Sequence, residues 1–102
     1  MKKQILYILF FLSQISLANV ILPSVFSDHM VLQQNDEVKF WGWANANEEV
    51  TIKTSWSNEV YKTKASNQAK WELFIKTPNY GGPFTITING YNEIVLKNIL
   101  IG

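Results

Sequence analysis

The stretch from Phe84 to Gly102, FTITINGYNEIVLKNILIG, limits what this chain can fold into more than any other. Phe84, Ile86 and Ile88 alternate with Thr85 and Thr87. Side chains reverse at every residue of a strand, so the apolar trio shares one face and the threonines the other. A second such segment runs from Glu93 to Leu96. Between them, Asn89-Gly90 supplies residues that accept the positive φ of a two-residue hairpin loop, and Tyr91 and Asn92 can lengthen that loop to four residues. The pattern predicts an antiparallel hairpin. Ile99-Leu100-Ile101-Gly102 then makes a bare apolar end, and such a strand left unpaired invites association unless something covers or continues it. The expectation is a chain that runs on into a further element.

Residues 1–18 have the layout of a secretory signal peptide. Lys2 and Lys3 form a basic start, Ile5 to Leu12 an unbroken apolar run, and Ser16-Leu17-Ala18 a small-x-small cleavage site. The run falls short of the roughly 20 apolar residues of a spanning helix. A retained signal anchor is the other reading of this segment. Cleavage after Ala18 leaves residues 19–102 as one small domain, in a periplasmic or extracellular location and without a membrane partner. Loss of Lys2 and Lys3 turns the whole-chain charge of +1 into −1. Nothing in that balance points to nucleic acid. Cysteine is absent, which excludes disulfides, thiolate metal ligation and an N-terminal lipid anchor on cysteine.

Taken in order, Asn19 to Leu22 reads as a short strand stopped by Pro23, which has no amide to donate. Ser24 to His29 reads as a loop and Met30 to Leu32 as a second short strand. Val38 to Trp43 is the most apolar strand candidate, and Gly42 between two tryptophans marks a bulge or a close backbone approach. After an asparagine-rich turn, Glu49 to Ser55 alternates with Val50 and Ile52 on one face. Val60 to Lys64 and Trp71 to Ile75 follow as strands. Pro78 to Pro83 is a breaker cluster ahead of the closing hairpin. Short strands separated by regular turn signals predict an all-β fold, an immunoglobulin-like antiparallel β-sandwich, with a small closed barrel as the other compatible architecture.

Chemistry-bearing clusters are few. Ser24, Ser27, Asp28 and His29 supply the residue types of a hydrolytic triad, but triad partners converge from separate elements, whereas these are near neighbours in one loop. A solvated turn with side chain to backbone bonds from Ser27 and Asp28 accounts for them. Glu48-Glu49 and Asp36-Glu37 read as solvated edges. One imidazole and scattered acids make no metal site. No residue is therefore expected to be catalytic, metal-binding or cofactor-binding. Aromatic residues are the enriched class. Trp41, Trp43 and Trp71 are expected in the core, where each large ring buries about 150–250 Å². Trp56 in a turn and Tyr80 beside Gly81-Gly82 are the candidates for an exposed contact with sugar or with another domain.

Four ordered phrases carry a resemblance: ILPSVFSDHMVLQQ at Ile21 to Gln34, FWGWA at Phe40 to Ala44, GGPFTITING at Gly81 to Gly90 and IVLKNILIG at Ile94 to Gly102. Together they resemble the N-terminal region of bacterial sialate O-acetylesterases, through nearly all of residues 19–102. The resemblance implies an exported serine esterase that removes acetyl groups from sialic acids or related sugars, with a β-sandwich region ahead of an α/β catalytic domain. It implies a serine nucleophile in a Gly-Gln-Ser-Asn phrase soon after the ILIG-like segment, a distant histidine as base, and no metal or organic cofactor. This chain contains no Gly-x-Ser motif, so no catalytic residue carries over. The Asn45-Ala46-Asn47 turn also departs from the Pro-Gly of many relatives. On this reading the chain is catalytically silent alone, its partner is the C-terminal catalytic domain of the same polypeptide, acetylated sugar is met only through that domain, and Ile99, Leu100, Ile101 and Gly102 form the linking strand. The competing reading is a free-standing exported sugar-binding or adhesion module.

Overall fold

A computed structural model describes residues 19–102, so the signal-peptide expectation lies outside the described residues. The described residues form seven strands: β1 (Val31–Leu32), β2 (Glu37–Trp43), β3 (Glu49–Thr54), β4 (Val60–Lys64), β5 (Lys70–Lys76), β6 (Gly81–Asn89) and β7 (Glu93–Ile101). Among the described residues there is no helix. Five strands make one sheet in the order β1-β7-β6-β3-β4, and β2 and β5 make the second. All pairings are antiparallel except β1 with β7, which run parallel. The all-β sandwich expectation holds.

The core follows from strand parity. Val50 and Ile52 on β3, Ile86 and Ile88 on β6, and Leu96, Ile99 and Ile101 on β7 are buried from the large sheet, and Phe40, Trp71 and Ile75 from the small one. They form a single apolar cluster between the layers. Full burial of one such aliphatic side chain is worth about 1.5–3 kcal/mol, so the shared face of each strand supplies most of the drive to close the sandwich.

Ile99 to Ile101 is where the structure departs most from expectation. These residues are the continuation of β7, and β7 is interior: Val31 and Leu32 pair with Leu100 and Ile101 on one side, and Gly81 and Phe84 with Ile101 and Ile99 on the other. Gly102 is tied in as well, donating its amide to the Leu32 carbonyl at 2.9 Å and accepting from Gln34 at 3.1 Å. The end is therefore paired on both sides. Its inward parity is set by an irregularity: Phe84 pairs with Ile99 but Ile86 with Leu96, which places an extra residue in β7 beside Asn98, at φ 57°. That bulge lets Leu96 and Ile99 both face inward across an odd spacing.

Three smaller corrections concern element limits. Asn19 to Leu22 makes only an isolated bridge, Ile21 with Trp43, because Val20 is held instead by the side chain of Asn92. Gly81, Gly82 and Pro83 belong to β6, where pairing with β7 outweighs their tendency to break strands. The hairpin loop has three residues, since Asn89 pairs with Glu93, and Gly90 is not in the positive-φ region. Gly90 is needed for space: a Cβ there would overlap Glu48 Oε2 and Val20 Cγ2.

Candidate functional site

Strand β2 alternates cleanly. Phe40 and Gly42 face the core, which sends Lys39, Trp41 and Trp43 to the outer face. Strand β5 lies opposite in antiparallel register, placing Phe74 across from Lys39, Glu72 across from Trp41 and Lys70 across from Trp43. Trp41 and Trp43 are each 39% exposed, so the expectation that both are core residues fails; Trp71, on the inner face of β5, is buried. The missed signal was present in Lys39-x-Trp41-x-Trp43, since a period of two puts both indoles on the face of a charged residue.

Lys39, Trp41, Trp43, Lys70 and Glu72 line an open groove of about 580 Å³, completed by Thr63 and Lys64 of β4 and by Ser66 and Gln68 of the β4–β5 turn. The two exposed indoles meet edge to face, with ring centroids 5.9 Å apart and planes at 76°. Phe26 ties Trp41 to the core: its ring stacks on buried Phe40 at 4.6 Å and meets Trp41 edge-on at 6.0 Å. Gly42 allows the backbone to come close, because a Cβ there would overlap the Ile21 carbonyl oxygen and lie 3.1 Å from the Trp71 ring. Trp71 donates its indole N–H to the Trp43 carbonyl at 3.2 Å, fixing the floor. Among the described residues, the indole N–H groups of Trp41 and Trp43 have no acceptor, whereas those of Trp71 and Trp56 do. Charge on this face is uneven. Lys39 Nζ meets Glu72 Oε2 at 2.8 Å, a diagonal cross-strand pair, while Lys64 and Lys70 have no ion-pair partner among the described residues.

The residues singled out from sequence lie elsewhere. Trp56 is half-buried: its indole donates to the Lys76 carbonyl at 3.1 Å and its ring meets Phe84 edge-on at 5.3 Å. Tyr80 is 76% exposed, and its amide donates to Gln34 Oε1 at 3.3 Å. Neither lines the groove. Ser24, Ser27, Asp28 and His29 are exposed, and Asp28 Oδ1 accepts from the Lys97 amide at 2.8 Å, so that carboxylate anchors the loop to β7 and does not orient an imidazole. Glu48, expected at a solvated edge, is buried, at 3% exposure. Its two oxygens accept from the amides of Asn45 and Tyr91 at 2.8 and 2.7 Å, joining two loops at one end of the sandwich. At the other end Thr77 donates to the Gln33 carbonyl and accepts from the Asp36 amide, at 2.6 and 2.9 Å. Among the described residues no three His, Asp or Glu side chains stand together in a way that holds a metal.

No family profile matches the chain, and no curated protein matches it. Among solved structures, it is similar to a protein described as a novel carbohydrate acetylesterase from Xanthomonas citri, with a TM-score of 0.76 and 24% identity. The match covers 81% of this chain and 19% of that one, so this chain spans about a fifth of the length of the structure it resembles. What is shared is the fold, a β-sandwich of the kind contained in a carbohydrate acetylesterase.

Proposed function

We propose that residues 19–102 are the N-terminal, non-catalytic β-sandwich portion of an exported sialate O-acetylesterase, whose longer polypeptide hydrolyses O-acetyl esters of sialic acids or related sugars. The observation that carries this reading is the match of 81% of this chain to 19% of a carbohydrate acetylesterase. Two others support it: the four ordered phrases that resemble sialate O-acetylesterases, and the signal-peptide layout of residues 1–18. The chain's own contribution is a rigid support. Its last strand is locked between β1 and β6, so a domain following Gly102 would leave from a fixed point of the sheet. Catalysis would belong to that domain, with a serine attacking the acetyl carbonyl and a histidine taking its proton.

Reading the coding sequence beyond Gly102 tests the proposal. An open frame with a Gly-Gln-Ser-Asn phrase soon after Gly102 is the expected result, and an immediate stop with no such phrase nearby contradicts it. A second reading, a free-standing exported sugar-binding module, is favoured by the Trp41–Trp43 groove; it predicts that stop.

A further inference from the structure

We infer that the groove on the outer face of β2 and β5 is a binding subsite for a carboxylate-bearing sugar. The choice of sugar as ligand class rests on the reading of this chain as part of a carbohydrate-acting protein. The selection for an acid comes from the groove alone.

Three observations converge. A pyranose ring offers one apolar C–H face bordered by hydroxyls, and it suits a corner in which one indole forms the floor and another the wall. Trp41 and Trp43 make such a corner, with planes at 76°, and they are held half-exposed by β2 beside Lys39, Lys70 and Glu72. An amphipathic ring with its N–H left free is matched to a ligand that is apolar on one side and wet on the other. Polar groups stand where hydroxyls would reach: the two free indole N–H donors, Thr63, Ser66 and Gln68, the last able both to donate and to accept. The charge then narrows the ligand. Three lysines line the groove against one glutamate, and that glutamate is occupied by Lys39. Lys64 and Lys70 remain as compact point charges at the groove, suited to a carboxylate without demanding a fixed bidentate geometry. Glu49 stands opposite Lys64 on the ladder but makes no ion pair with it. A neutral sugar would find the same corner without this attraction.

The test is an NMR titration of the 15N-labelled chain, following the four indole N–H resonances, with glucuronic acid, N-acetylneuraminic acid and glucose. The Trp41 and Trp43 signals are expected to move saturably with either acid while that of Trp56, which lies outside the groove and is bonded to a carbonyl, stays. Glucose should bind about tenfold more weakly. A Lys64→Gln/Lys70→Gln double variant should bring the acids down to the level of glucose, and Trp41→Ala/Trp43→Ala should lose the response of both. Each variant is checked for retained strand signal by circular dichroism; both pairs are exposed and outside the core. No movement of the Trp41 or Trp43 signals at about 50 mM of either acid, a concentration that detects even millimolar affinity, overturns the inference. Equal affinity for glucose and glucuronic acid overturns it too. So does movement of these signals with protein concentration in the absence of sugar, which would mean a second copy covers the face. Failure here is separable from failure of the esterase reading: a stop codon after Gly102 removes the esterase and leaves sugar binding intact, whereas a silent groove in a chain followed by the nucleophile phrase removes only the subsite.

Discussion

Glu48 shows how one side chain can hold loops that are far apart in the chain. Its carboxylate accepts from the amides of Asn45 and Tyr91, and Gly90 leaves room for it beside Val20. Hydrogen bonds to a charged group contribute about 1.5–3 kcal/mol, so Glu48→Gln, which turns one acceptor into a donor facing an amide, should cost about that much in urea unfolding. A midpoint unchanged from the parent would contradict this role. Thr54 is the opposite case. Its hydroxyl is buried without a partner among the described residues. Replacing an unpaired buried hydroxyl with a group of the same shape removes a desolvation cost of about 1–3 kcal/mol. Thr54→Val should therefore raise the thermal midpoint by several degrees, roughly 4–8 °C per kcal/mol at this size, and a lowered midpoint would show that the hydroxyl has a role. Neither role was legible in the sequence. Glu48 looks like any acid at a strand start, and its partners, Asn45 excepted, become neighbours only when the hairpin folds over.

At the scale of elements, alternation was readable and pairing was not. The apolar faces of β3 and β6 follow from period two, and Val50, Ile52, Ile86 and Ile88 are buried as that period assigns, while Phe84, across the register shift, is half-buried. For β2 the same rule gives the outward turn of Trp41 and Trp43, and only the expectation that large rings seek the core hid it. Ile99 to Ile101 misled for a different reason. Their partner β1 was readable as a short strand, but it lies far back in the chain and nothing in its two residues names Leu100 and Ile101 as partners, and the bulge at Asn98 interrupts the pattern that would have joined them to β7. Gly42 was legible as a close approach, and the neighbour is the Ile21 carbonyl. Gly42→Ala should push that segment away and break the Ile21–Trp43 bridge, costing about 1–3 kcal/mol by overpacking. Hydrogen exchange at the Ile21 and Trp43 amides should quicken with it, and unchanged exchange would mean the segment is held by Asn92 alone.

Across the whole molecule, the sandwich gathers its polar latches at its two ends and its exposed aromatic groove on the small sheet. The described residues supply loops and anchors, and their one loop with triad-type side chains is committed to holding β7. The likeness to a fifth of a carbohydrate acetylesterase is a likeness of fold. The proposal to be tested is that this sandwich supports acetyl-ester hydrolysis without performing it. The most direct measurement compares acetate release from an O-acetylated sialic acid by this chain alone and by the longer polypeptide that the proposal requires. The account predicts release by the longer polypeptide and none by the chain alone. Release by the chain alone that is abolished by Ser24→Ala or His29→Ala would contradict it.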